Sequence, residues 1–167
     1  INTASSDALS TQCTTGDLGT FSDTAANDFP SLAVADDGTV YIAVGGATAI
    51  VEKLVFSGCT FTDITTESAL TVDDRVAVTT ISNTLHMVFQ DGDLSHSIYD
   101  GTSWTASNTQ IAAQTDTVYS LTTDATNLWL LTVDSTTAAA LYKYNGTSWS
   151  SETSPWTGQT NLTSLSI

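Results

Sequence analysis

Seven residues of the chain recur almost unchanged 45 positions later: residues 99–105 read YDGTSWT and residues 144–150 read YNGTSWS. Residues 56–61, FSGCTF, fit the same template, because glycine again follows the first aromatic residue by two positions and precedes the second by three. The three glycines, Gly58, Gly101 and Gly146, are therefore 43 and 45 residues apart. An internal period of about 44 residues is typical of propeller blades and related repeat arrays.

Each period contains the signals of four short strands. The first three are predicted at residues 31–35, 40–44 and 50–56, at 76–80, 85–89 and 95–99, and at 119–123, 128–133 and 140–144. Turns rich in Asp, Asn, Gly and Thr separate them. The chain contains 32 Thr and no helical pattern sustained over three turns, and β-branched Thr favours strands.

The recurring glycine marks a hairpin. Asp100-Gly101 and Asn145-Gly146 are dipeptides of the tight turns that need a positive φ, and the flanking aromatic residues can pack across such a hairpin. A fourth, weaker strand then carries the second aromatic residue. Four antiparallel strands per period make one propeller blade. We therefore predict an all-β, β-propeller-like chain of tandem four-stranded blades, about three of them complete, with partial blades at both termini.

The period divides this single domain into consecutive units. They are a partial N-terminal blade (1–28), three blades (29–73, 74–116 and 117–159) and the first strand of an incomplete blade (160–167). Exposed strand edges accept strands from other chains, and head-to-tail contacts that do not close build fibres. We expect association with copies of the chain, either as two copies that complete a ring or as a filament. The alternative is that the chain is a piece of a longer propeller.

The charge restricts the possible partners. Eighteen acidic residues face three basic ones, for a net charge of −15, and such a surface repels phosphate backbones and anionic lipid. No run of 18 apolar residues exists, so membrane insertion is not expected. The first residue is Ile and not Met, which favours a processed, secreted protein. We therefore expect an extracellular or cell-surface location and no nucleic acid among the partners.

Two cysteines and two sequons fit that location. Cys13 and Cys59 occupy equivalent positions of the repeat, and with no CxxC motif they predict a disulfide in place of a zinc site. Equivalent positions on adjacent blades lie far apart, so the bond would require the N-terminal segment to fold over the first blade. Asn145 and Asn161 begin Asn-x-Thr sequons and are candidate glycosylation sites.

Calcium is the one cofactor that the composition leaves open. Oxygen ligands are abundant, and Asp91 and Asp93 flank a glycine in a short turn, so they are candidates for a Ca²⁺ site. No DxDxDG run is present, and we expect no resident cofactor.

Two turns resemble a known motif. Residues 122–129, TTDATNLW, match the pattern Ser/Thr-x-Asp-x-Gly-x-x-Trp at Thr122, Asp124 and Trp129, and residues 34–41, VADDGTVY, match it at Asp36 and Gly38. The pattern is the Asp box, and the chain resembles the Asp-box repeats of the sialidase-like β-propeller superfamily. The resemblance implies the propeller fold.

The resemblance does not carry the activity. Sialidases bind the substrate carboxylate through three arginines, whereas Arg75 is the single arginine of this chain, and no GxSxG elbow occurs. We expect a non-catalytic structural or adhesive module. One alternative is a lectin-like glycan-binding module that stacks sugars on Tyr99, Trp104, Tyr144 and Trp149, although packing between strands is the commoner use of such rings. A second alternative is a fragment of a larger glycoside hydrolase propeller.

Overall fold

The computed structural model describes residues 29–45, 50–55, 60–64, 76–91, 93–105, 109–112, 116–134 and 139–153. Cys13, Cys59 and Asn161 lie outside these residues, as do the segments predicted to form the partial terminal blades. Every helix or strand in the described part of the chain is a strand, which confirms the all-β prediction.

Twelve strands form three antiparallel sheets of four strands, each in chain order. Sheet 1 contains β1 (Phe29–Val34), β2 (Val40–Gly45), β3 (Ile50–Val55) and β4 (Thr60–Asp63); sheet 2 contains β5 (Val76–Ile81), β6 (Thr84–Asp91), β7 (Asp93–Tyr99) and β8 (Thr109–Ala112); sheet 3 contains β9 (Asp116–Thr123), β10 (Leu128–Asp134), β11 (Ala140–Tyr144) and β12 (Trp149–Glu152). The predicted first, second and third strands are all present, with ends shifted by at most three residues. The largest shift is at β9, which starts at Asp116, and its register with β10 is irregular between Val133 and Asp134.

The fourth strand differs between two of the repeats. Trp149 opens β12, as the template predicts, but Trp104 lies outside β8 and makes only an isolated antiparallel bridge to Tyr99. The strand β8 begins five residues later, at Thr109. The same aromatic position therefore belongs to a strand in one sheet and to the preceding turn in another.

The repeated phrase forms the same turn twice. Gly101 and Gly146 have φ values of 101° and 91°, in the left-handed region that favours glycine. Asp100 and Asn145 precede them, and each places one side-chain oxygen 2.8–3.0 Å from the backbone amides two and three residues later. These side-chain bonds fix the turn that the sequence pattern predicts.

Sheet 2 lies between the other two sheets. Since successive side chains of a strand point to opposite faces, Leu85, Met87 and Phe89 lie on one face of β6, and His86 and Val88 lie on the other. The first face packs against sheet 1 in a cluster with Ala33, Tyr41, Ala43 and Val51. The second face packs against sheet 3, in a cluster that joins Ala77, Val88 and Leu94 to Leu130 and Tyr142.

The first strands of the sheets lie side by side, with β5 between β1 and β9. The Val78 amide donates to Ser31 Oγ at 3.0 Å, and Thr80 Oγ1 donates to the Val34 carbonyl at 2.8 Å. Polar contacts across β1 and β5 thus fix the height at which sheet 1 meets sheet 2.

Candidate functional site: the aromatic junctions between sheets

The junction between sheets 1 and 2 is built on three aromatic rings. Tyr41 on β2 meets Tyr99 at the end of β7 edge-on, with ring centroids 6.3 Å apart, and Tyr99 lies 5.3 Å from Trp104. The Trp104 indole N–H donates to the carbonyl of Ile64, which follows β4. The repeated segment of sheet 2, residues 99–105, therefore contacts sheet 1 through Tyr99 and Trp104.

The junction between sheets 2 and 3 uses the same positions of the repeat. Tyr144 at the end of β11 lies 6.2 Å from His86 and 5.3 Å from Trp149, measured between ring centroids. Tyr144 and Trp149 correspond to Tyr99 and Trp104, and His86 takes the place of Tyr41. The template predicted that these aromatic residues recur, and the geometry gives the physical reason, which is a repeated contact between consecutive sheets.

A second histidine enters only this junction. His96 lies on β7 opposite Val88, where sheet 1 has Val51 opposite Ala43. Its ring stacks on His86 at 5.3 Å and meets Tyr144 and Trp149 edge-on, at 4.8 and 5.3 Å. His96 is 2% exposed and His86 is 6% exposed.

The hydrogen bonds assign a proton to each ring. The Trp149 indole N–H donates to His96 Nδ1 at 3.2 Å, so this nitrogen has no proton, and Nε2 carries the proton of the neutral ring. His96 Nε2–H then donates to His86 Nδ1 at 3.1 Å. Burial lowers the pKa of His86 to about 4, and burial followed by the charge of His86 lowers the pKa of His96 to about 3. Both rings are therefore neutral at neutral pH.

His86 and His96 fall within the predicted strands at residues 85–89 and 95–99, but the repeat template does not pair them. The signal was available in the hairpin around Gly92, since the two residues lie six positions before and four positions after this turn. Even offsets on both arms place the two side chains on one face of the sheet. Their contact with Tyr144 and Trp149 depends on how the sheets stack, which the hairpin does not reveal.

The four residues proposed for glycan stacking come together as two separate pairs. Tyr99 and Tyr144 are each 6% exposed, because each packs between two sheets, and Trp104 and Trp149 are half-buried. Each pair lies at its own junction, so the four rings do not form one platform. Glycan binding remains a prediction, with only part of each tryptophan available for it.

The Asp124 turn between β9 and β10 is closed by its own carboxylate. Asp124 Oδ1 accepts from the Thr126 and Asn127 amides at 3.0 and 2.7 Å, and Oδ2 accepts from the Trp129 indole at 2.9 Å. The Trp129 bond, followed by those from Asn127, holds the pKa of Asp124 well below its usual range. Lys143 Nζ lies 5.0 Å from the centroid of the Trp129 ring. The residues that resemble an Asp box thus have a structural role in this turn.

An open cavity of about 610 Å³ lies where β1, β5 and β9 end. Leu32, Val34 and Ile81 supply apolar walls, and Thr80 and Asp36 are among the polar ones. Leu32 is 61% exposed and Val34 is 54% exposed, the two large exposed apolar side chains of the described residues.

The remaining predicted sites are the candidate calcium ligands, the glycosylation sites and the two cysteines. Asp93 is exposed at the start of β7, across the register from Asp91, whose side chain is not among those described. The described residues contain no group of three or more His, Cys, Asp or Glu side chains that could hold a metal ion. Asn145 is exposed in its turn. Calcium binding and glycosylation therefore stay predictions, and Cys13, Cys59 and Asn161 lie outside the described residues.

Comparisons with known proteins do not assign the chain to a family. No family model matches the chain, and no curated protein matches it. The part of the chain that the structure describes has no helix with the length and apolarity that crossing a membrane requires.

Proposed function

We propose that the chain is a non-catalytic, β-propeller-like structural module, and that a second copy covers the outer face of its first sheet. Two arguments support the propeller-like arrangement. The first strands β1, β5 and β9 are neighbours, as the innermost strands of a propeller are, and one aromatic contact is repeated at both junctions. A ring takes about four to eight blades, whereas the described residues form three sheets.

The exposure of Leu32 carries the proposal of a second copy. In the strand registers, Leu32 pairs with Ile42 in the position where Val78 pairs with Met87 and Leu121 pairs with Leu130. Val78 is 5% exposed because sheet 1 covers it, and Leu121 is half-buried against sheet 2. Leu32 has no such cover, although burial of a leucine side chain is worth about 1.5–3 kcal/mol.

The repeat suggests what the cover is. Every equivalent of Leu32 among the described residues is covered by another unit of this same chain, so a surface that this chain already possesses fits the position. On the outer face of sheet 3, Leu131 and Val133 are already buried, at 2% and 3% exposed. On the outer face of sheet 1, Val40 and Val44 of β2 are also buried, at 9% and 8% exposed, so the open apolar side chains are Leu32 and Val34 of β1. An isologous dimer would join two copies along this strand.

The histidine geometry supports a structural role in preference to a catalytic one. His86 and His96 are buried, neutral and bonded to each other, so neither is placed to act as a general base. The walls of the cavity at the ends of the first strands carry Thr, Ser and Asp, but no His, Cys or Arg within the described residues. An extracellular location and an adhesive role remain part of the proposal, based on the sequence.

The test is the mass of the full chain in solution, measured by light scattering and sedimentation equilibrium. We expect a dimer for the unmodified chain and a monomer for Leu32→Asp, because a carboxylate at the dimer contact would have to be buried without a partner. Thr126→Asp is the matched control, since it adds the same charge to an exposed turn, and it should remain dimeric. The mass is measured over a 100-fold range of protein concentration that ends at the solubility limit. An unmodified chain that is monomeric over this whole range, or a Leu32→Asp variant that is dimeric, would overturn the proposal.

A further inference from the structure

The two junctions between sheets differ in the side chains that meet the repeated tyrosine and tryptophan. At the junction of sheets 1 and 2, the positions equivalent to His86 and His96 hold Tyr41 and Val51. Burial raises the pKa of Tyr41 above its ordinary value of 10.0, so this ring stays neutral in acid. Of the described ring side chains at the two junctions, His86 and His96 are therefore the ones that can take up a proton as the pH falls below neutrality.

The hydrogen-bond chain through Trp149, His96 and His86 exists only while both histidines are neutral. A second proton on His96 would place Nδ1–H against the indole N–H of Trp149, and a second proton on His86 would place Nδ1–H against His96 Nε2–H. Either proton turns an acceptor into a donor and breaks one bond of the chain. The bond lost when His96 is protonated joins the two sheets, since Trp149 belongs to sheet 3. The bond lost when His86 is protonated lies within sheet 2, but the new charge then faces Tyr144 of sheet 3.

No described anion faces the pair to compensate a positive charge. From sheet 3, the groups that meet the two rings are Tyr144 and Trp149. The charged residues Lys143 and Glu152 lie on the other face of sheet 3, away from the two histidines. On β5, the residue that pairs with His86 is the uncharged Thr79. Burial is the one cause that lowers the pKa of His86, and for His96 the only added cause is His86 itself.

We propose that His86 and His96 form an acid-sensitive latch that releases sheet 3 from sheet 2 while the junction of sheets 1 and 2 stays closed. Because each folded-state pKa lies below the ordinary 6.5, the stability that the latch contributes is complete above pH 6.5. It is lost as the pH falls from 6.5 through about 4 and about 3. Between pH 6.5 and about 5, ordinary carboxyl groups stay ionised, so this window reports on the histidines.

Hydrogen exchange of the full chain, read by mass spectrometry at pH 7 and pH 5 and corrected for intrinsic exchange rates, tests the proposal. Protection of residues 116–134 and 139–153 should fall about 20-fold or more, the factor for one histidine with these pKa values. Protection of residues 29–45 and 50–55 should change much less. An equal loss in all three sheets would mean general acid unfolding and would overturn the latch.

The chain supplies its own control variant. The double change His86→Tyr and His96→Val copies the residues that the other junction uses, and it should remove the loss of protection between pH 7 and pH 5. His96→Gln, which keeps a hydrogen-bonding side chain without a titrating group, provides a second variant that alters packing less. If both variants lose protection in sheet 3 as steeply as the unmodified chain, the histidines are not the latch.

Discussion

Asp124 shows how much one exposed carboxylate can organise. Its two oxygens accept bonds from two backbone amides, from the Asn127 amide group and from the Trp129 indole. Asp100 and Asn145 hold equivalent amide bonds in the hairpin turns, but neither has a tryptophan partner. Either Asp or Asn can therefore close the turn through one side-chain oxygen. The bond to the indole needs the second oxygen, which only the carboxylate has.

Asp124→Asn should therefore be more harmful than Asp100→Asn. An amide at position 124 keeps the bonds to Oδ1, but its nitrogen cannot accept from the Trp129 indole. We expect the thermal midpoint to fall by a few degrees for Asp124→Asn and by less for Asp100→Asn. Differential scanning calorimetry of the two variants checks this, and equal midpoints would contradict it.

Ala125 carries backbone strain in the same turn. Its φ of 71° is left-handed, which costs an L-residue with a Cβ about 1–2 kcal/mol. Glycine removes this cost but adds about 0.4–1 kcal/mol of chain entropy in the unfolded state. Ala125→Gly should thus raise the free energy of unfolding by about 0.5–1 kcal/mol in urea titrations. Ala139→Gly, at a buried position without a positive φ, should lower it.

At the scale of strands and turns, the sequence predicts nine of the strands closely because alternation and turn residues are local signals. It also predicts Gly101 and Gly146, since a positive φ there requires glycine. The fourth strands are less predictable. Trp104 stays in the turn and Trp149 enters β12 although their local sequences are nearly identical, so the residues that follow and the neighbouring sheet decide the difference.

The two tryptophans should differ in energy for the same reason. Trp149→Phe leaves the buried Nδ1 of His96 without a donor, whereas Trp104→Phe frees the carbonyl of Ile64, which is only half-buried and can bind water. An unsatisfied buried acceptor costs about 1–3 kcal/mol. We expect Trp149→Phe to be the more destabilising in urea unfolding at pH 7. The reverse order would show that the indole bond to His96 contributes little.

At the scale of the whole molecule, the stacking of sheets is what the sequence could not provide. The period identifies Tyr99, Trp104, Tyr144 and Trp149, but their partners Tyr41, His86 and His96 belong to other periods or other strands. Such contacts depend on the height and order in which the sheets meet, and β1 and β5 fix these by bonds between residues 46 and 47 positions apart.

The net charge governs the proposed dimer. Each copy carries −15, so two copies repel one another, and salt screens this repulsion over about 10 Å at 0.1 M. Raising the salt from 0.05 to 0.5 M should therefore lower the dissociation constant of the dimer by about tenfold or more, which corresponds to about 1.4 kcal/mol. Sedimentation equilibrium measures it, and weaker association at high salt would contradict a contact made by Leu32 and Val34.

Because both junctions use the same ring positions, a unit is compatible with any neighbour that presents the matching residues. Inserting a second copy of residues 74–116 directly after the first would set a new Tyr99 and Trp104 against the existing His86, as Tyr144 and Trp149 are set now. We therefore expect a chain with one added period to form a further junction in which histidines of one sheet meet a tyrosine and a tryptophan of the next.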